Sequence, residues 1–219
     1  MSGAFYGKDD FVRDTGVSHE TAERLETHRS LLAEWSGRMN LVGPKELEQY
    51  WKRHALDCAQ LVKLAPRARR WVDLGSGAGF PGLVVAALIA EKSGAAVHLI
   101  EATAKKAAFL REAARAMAVP AEVFNVRIEA FEGGQKRGGD RYDVVTARAL
   151  APLSRLTLYA KPILDRGAQG LFLKGADIDA ELAAAGLAQN GGAYRVDVVE
   201  SVSDPRGRVV RIAARQPRG

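Results

Sequence analysis

The chain has 219 residues, enough for one domain, and its 47% apolar share suffices to bury a full core. Its longest apolar run, 83–90, is far short of the roughly 20 residues a spanning helix needs, and one cysteine, Cys58, excludes both an intramolecular disulfide and a cysteine metal site. The net charge of +6 favours a polyanionic partner, since neutralising phosphates releases counterions.

Residues 2–10 are polar and partly acidic, without the apolar segment of a secretory signal, so a reduced cytoplasm is the expected compartment. Ala22, Leu25, Leu32 and Trp35 recur at helical spacing over 21–39. Gly43-Pro44 interrupts, and 45–64 predicts a further helix, making 1–66 a helical extension. The rhythm then changes. Strands are predicted over 71–74, 96–100, 121–126, 142–146 and 170–174, with helices over 81–92, 104–117 and 153–164, and a polar loop over 133–140. Such alternation implies a mostly parallel sheet with helices on both faces. Two last strands, 194–199 and 208–213, flank a turn at Asp204-Pro205-Arg206-Gly207 and form an antiparallel pair. The expected architecture is a Rossmann-like, doubly wound α/β fold of methyltransferase type with seven strands. It is one domain, a core of 67–219 with the extension packed on it.

The most informative segment is Val72-Asp73-Leu74-Gly75-Ser76-Gly77-Ala78-Gly79-Phe80-Pro81-Gly82, at a strand end and opening a helix. Glycines there let a ligand approach the backbone, and free N–H groups at the helix start attract an anionic group. From Gly77 the segment matches the dinucleotide pattern of three spaced glycines, but from Gly75, where the strand ends, the third position is Phe80 and the match fails. The other reading is an acid two residues before alternating glycines: Asp73, then Gly75, Gly77 and Gly79. That arrangement suits S-adenosylmethionine, whose methionine amino and carboxylate groups lie against such a loop. Glu101 ends the second predicted strand, where a carboxylate can accept hydrogen bonds from ribose hydroxyls. A nicotinamide-dependent oxidoreductase is opposed by Asp73 and the late strand pair. A non-catalytic RNA-binding module would have no physical need for both the loop and Glu101, and the nearest alternative is a methyltransferase acting on another RNA or a small molecule.

Asn40-Leu41-Val42, Arg53-His54-Ala55-Leu56-Asp57-Cys58, the glycine segment, 106–110, Arg127-Ile128-Glu129, Thr146-Ala147-Arg148-Ala149 and Leu173-Lys174-Gly175 follow in order. Together they resemble the ribosomal RNA small subunit methyltransferase G family, also called glucose-inhibited division protein B, over about 40–175. The resemblance implies methyl transfer to N7 of one guanine in 16S ribosomal RNA, with that RNA or the small subunit as partner. It also implies that Gly75, Phe80, Ile128, Glu129 and Arg148 contact the cofactor. Cys58 stands where the family has serine, a change that leaves the cofactor residues intact.

Guanine N7 has a free lone pair, so no general base is required and none is assigned; proximity, alignment and a dry polar pocket would carry catalysis. Arg148, at a strand end, is placed to meet either the methionine carboxylate or an RNA phosphate. Arg53, His54 and Lys174 are the RNA-binding candidates, although a lone histidine such as His54 is more often a packed residue. No cluster has metal-ligand spacing, so no metal is expected. A monomer is the expected state.

Overall fold

The computed structural model describes residues 6–131, 141–187 and 192–215. Five strands run parallel: β1 (Arg70–Leu74), β2 (Ala96–Ile100), β3 (Ala121–Phe124), β4 (Val144–Arg148) and β5 (Gln169–Lys174). Two more, β6 (Tyr194–Glu200) and β7 (Arg208–Ala214), are antiparallel, and the sheet order is β3-β2-β1-β4-β5-β7-β6. The central strands are buried on both faces, which is why they read as largely apolar runs, broken by the buried Asp73, His98 and Thr146. Successive side chains of β1 point to opposite faces: Trp71 joins the core beneath the amino-terminal helices, whereas Val72 and Leu74 join the core on the far side.

Strand order reverses at β1, which has β2 on one side and β4 on the other, and open α/β sheets bind ligands at the carboxyl edge of such a switch. Register decides what meets there. Leu74 lies opposite Ile100, and Asp73 lies opposite Thr146. Gly75, Glu101 and Arg148 therefore emerge along one edge. The fourth strand runs two residues later than expected, so Arg148 ends it instead of following it.

One face is covered by α1 (Lys8–Thr15), α2 (His19–Ser36), α3 (Pro44–Glu48), α4 (Asp57–Leu64), α5 (Gly82–Leu88) and α6 (Ala104–Ala116). Ser18 caps α2 by accepting the Thr21 N–H at 3.1 Å, and Pro44 opens α3 where its missing N–H costs nothing. The single helix expected over 45–64 is three segments, because a π-helical stretch, Tyr50–Leu56, separates α3 from α4. Its wider turn buries Tyr50, Trp51, His54 and Ala55 while Lys52 and Arg53 stay exposed. Phe11, Leu25, Leu32 and Tyr50 share one core with Trp71, Leu83, Leu99 and Phe109, so the extension is packed onto the sheet.

The opposite face carries α7 (Leu153–Leu164) and α8 (Ile178–Ala184). The latter has only seven residues, too few for periodicity to announce it. The loop expected over 133–140 lies outside the described residues. Among the described residues no helix is long and apolar enough to cross a membrane.

Phe109 is fully buried and stacks edge-on against Trp35, its ring 5.7 Å away. Phe109→Ala should lower unfolding free energy by about 3–5 kcal/mol through lost burial and a residual cavity, as read by urea denaturation.

Candidate functional site

A cavity of about 450 Å³ opens at the carboxyl edge of β1 and β2, lined among others by Gly75, Gly77, Glu101, Ile128 and Glu129. A second, of about 480 Å³, opens beside β4 and β5, lined by Arg53, Asp57, Arg148, Lys174 and Arg206 among others. Ala149 lines both, in the left-handed region at φ 51° that alanine rarely adopts.

The first cavity is shaped by backbone. Gly75 has φ 71°, a backbone conformation that favours glycine, and a Cβ there would stand 2.6 Å from Leu150 Cδ1, so that side chain would have to shift. Glu101 is buried, with Oε2 accepting the Gly77 N–H at 3.0 Å and Oε1 accepting the Thr103 N–H at 2.7 Å. Each oxygen keeps a lone pair for a further donor, so the carboxylate is fixed without being saturated. Ile128 and Glu129 lie in a short 3-10 turn, Ile128–Ala130. Glu129 is exposed and accepts the Tyr159 hydroxyl at 2.9 Å; its own backbone N–H, then that hydroxyl, holds its carboxyl below the usual range. An adenosine moiety fits this set: a glycine wall, an aliphatic face and a fixed carboxylate suited to two vicinal hydroxyls.

Asp73 does not line that cavity. It is 1% exposed and lies beneath the loop, where Oδ2 accepts the Gly82 N–H at 3.1 Å and Oδ1 accepts the Thr146 hydroxyl at 3.0 Å. The sequence assigns it to the cofactor; in the structure it braces the loop instead. Desolvation pushes its pKa up to about 7, against the hydrogen bonds that favour the charged form. Gly79 and the Phe80 ring also point elsewhere, for Gly79 faces Leu83 and His28, and Phe80 is 8% exposed within an aromatic cluster.

That cluster explains the amino-terminal helices. His28 of α2 is fully buried, with Nε2 2.9 Å from the Ala78 carbonyl and Nδ1 3.0 Å from the Tyr50 hydroxyl. A carbonyl only accepts, so Nε2 carries the proton; burial holds the ring neutral by pushing its pKa down to about 4. The ring stands 5.2 Å from that of Phe80, pinning the glycine loop from outside the sheet. Sequence reasoning passed over His28, because a histidine among charges at helical spacing carries no local signal of its partner fifty residues away.

His54 is 4% exposed, stacked on Phe80 with centroids 4.6 Å apart, and its Nδ1 accepts from Arg148 Nη2 at 2.8 Å. Burial, then the Arg148 charge, pushes its pKa down to about 3. His54 is an expected RNA contact; the π-helical turn points it inward, where it holds Arg148. The Arg148 guanidinium lies 5.7 Å over the Phe80 ring, beside the loop, with 19% of the side chain exposed. Lys174 lines the second cavity and is engaged within the chain, donating to the Ala151 carbonyl at 3.0 Å and pairing with Glu181 at 2.7 Å. Arg53 remains exposed at the second cavity. The Cys58 thiol is fully buried and pushed well above its ordinary pKa by desolvation, which makes it unreactive. Among the described residues no group of three His, Cys, Asp or Glu could hold a metal ion.

A reversed parallel sheet, a glycine loop at its switch point and a fixed carboxylate on the neighbouring strand define an S-adenosylmethionine-dependent methyltransferase of Rossmann-like type. The sequence model of one family, rRNA small subunit methyltransferase G, matches residues 21–206. The chain belongs to that family. A protein named ribosomal RNA small subunit methyltransferase G from Parvibaculum lavamentivorans is 46% identical over 205 residues, covering 93% of this chain and 88% of the relative. One of the same name from Methylobacterium radiotolerans is 48% identical over 201 residues, covering 91% and 90%. Among solved structures, a mutant of MtNAS in complex with S-adenosylmethionine has a TM-score of 0.53 at 16% identity, covering 96% of this chain and 84% of that one; it shares the fold.

The Asp73 environment sets a pH dependence. An unfolded carboxyl releases its proton near the ordinary 3.8, whereas the folded one holds it to about 7. Between those values the folded chain binds more protons, so this group makes stability fall as pH rises through that window. Urea midpoints measured from pH 4 to 8 should show the wild-type protein losing stability relative to Asp73→Asn across that range; parallel curves would disprove it.

Proposed function

We propose that the chain transfers the S-adenosylmethionine methyl group to N7 of a guanine in 16S ribosomal RNA, within the small subunit or its RNA. The observation that carries this reading is the pair of cavities meeting at Ala149, one framed by the glycine loop and Glu101, the other rimmed by Arg53, Arg148 and Arg206. Names of the relatives give the substrate class, and the sequence resemblance gives the atom. Bound S-adenosylmethionine supplies an electrophilic methyl on a sulfonium.

The chain's own residues bind and align. Glu101 accepts the ribose hydroxyls, and Ile128 covers the adenine while Glu129 and the adjoining backbone read its edge. Arg148 lines the second cavity and not the first, and from beside the loop, held by His54, it reaches across to pair with the methionine carboxylate. Guanine N7 attacks through a lone pair it already has, so nothing need remove a proton. The buried groups agree with this, because His28 and His54 are held neutral with hydrogen-bonded rings and Cys58 keeps its proton. Exposed Arg53 contacts RNA phosphate. The same reading takes the chain as one domain, acting as a monomer in the cytoplasm.

Methyl transfer from radiolabelled S-adenosylmethionine to small subunits or stripped 16S RNA lacking the modification tests the proposal. Label should appear as 7-methylguanosine; cofactor binding without labelled RNA would remove the substrate. Calorimetry with cofactor alone should show Arg148→Ala weakening binding on the order of 10-fold or more, as for loss of a charge-assisted contact. Unchanged affinity would move Arg148 to the RNA.

A further inference from the structure

Asp57, the first residue of α4, has an unequal pair of oxygens. Oδ1 accepts three hydrogen bonds, from the Gln60 amide at 2.9 Å, the Ser201 hydroxyl at 2.7 Å and the Ser203 hydroxyl at 2.9 Å. Oδ2 has Arg148 Nη1 at 3.9 Å, beyond hydrogen-bond distance. The side chain is 15% exposed and lines the cavity beside β4 and β5, not the one framed by Glu101. A mostly buried carboxylate is costly unless its lone pairs are used, and donors crowded onto one oxygen fix the other in direction. The serines come from the connection between β6 and β7, so the end of the chain sets this geometry.

We propose that Asp57 is a specificity-determining residue whose Oδ2 accepts from the donor edge of the substrate guanine, N1–H and the exocyclic amine. The inference rests on the function proposed above. A guanine whose N7 faces the cofactor side at Ala149 turns its Watson–Crick edge away, deeper into the second cavity. That edge offers two adjacent donors and, in adenine, only one, with an acceptor in place of N1–H. A fixed acceptor oxygen therefore admits guanine and opposes adenine, whose N7 is an equally available nucleophile. Selection by a buried acceptor is severe, since the wrong base leaves it unpaired.

Asp57→Asn tests this directly. Three donors hold the oxygen position, so the amide must present its NH2 group where Oδ2 stood, opposite the base's own donors. The full-length variant should bind S-adenosylmethionine within about 3-fold of wild type by calorimetry while losing on the order of 100-fold in kcat/KM for RNA methylation. RNA carrying inosine at the accepting position lacks the exocyclic amine. The wild-type protein should methylate it about 10-fold less efficiently than guanosine RNA, and Asp57→Asn should no longer distinguish the two. Equal use of inosine and guanosine by the wild-type protein would overturn the proposal whether or not the variant folds. Loss of cofactor affinity in Asp57→Asn would overturn it too, by assigning the carboxylate to the cofactor. Failure of the wild-type protein to methylate any RNA is a different result, which removes the underlying function.

Discussion

Asp73 ties three elements together through one side chain. Its backbone belongs to β1, one carboxylate oxygen takes the N–H that opens α5, and the other takes a hydroxyl from β4. Burying this group costs energy, visible in a pKa raised to about 7, and hydrogen bonding from Ser76, Thr146 and Gly82 offsets part of that cost. In return, the glycine loop leaves β1 at a fixed angle, and the switch point between β1 and β4 cannot slide. Gly75, Gly77 and Glu101 then fall into place through register and through the bond from the Gly77 N–H to the Glu101 carboxylate, with the Ser76 hydroxyl of the loop donating back to the Asp73 carbonyl.

A second constraint acts from the other side of the loop. His28, Tyr50, His54 and Phe80 form an aromatic block between the sheet and the amino-terminal helices. Through it the helices become part of the site, since His28 holds the loop carbonyl of Ala78 and His54 holds Arg148. The π-helical stretch makes this possible: its wide turn lets residues 53 and 54 serve opposite surfaces, one facing solvent and the other the core.

Much of this was legible in the sequence. Short apolar runs alternating with helical periodicity are what a parallel sheet covered on both faces demands, and the residues of the glycine loop and Glu101 come together at one cavity. Residue type and motif position suggest ligand contacts for Asp73, His54 and Lys174, and the structure adds partners within the chain for each: Gly82 and Thr146 for Asp73, Arg148 for His54, Ala151 and Glu181 for Lys174. Partners so distant along the chain leave no local pattern. His28 and Asp57 were missed for the same reason, their roles being set by residues 50 and about 145 positions away. Short α8 and the π-helical turn fell below the length at which periodicity can speak.

The sheet's connectivity also governs when the protein can become whole. β7, the last strand along the chain, sits between β5 and β6, and the turn before it supplies the serines that hold Asp57. During synthesis β5 waits with an open edge while residues up to 214 are added, and the second cavity lacks one wall. Cofactor-side geometry depends only on residues made earlier. On the functions proposed for the two cavities, a nascent chain completes the nucleoside side before the base side, and the order of translation becomes an order of competence.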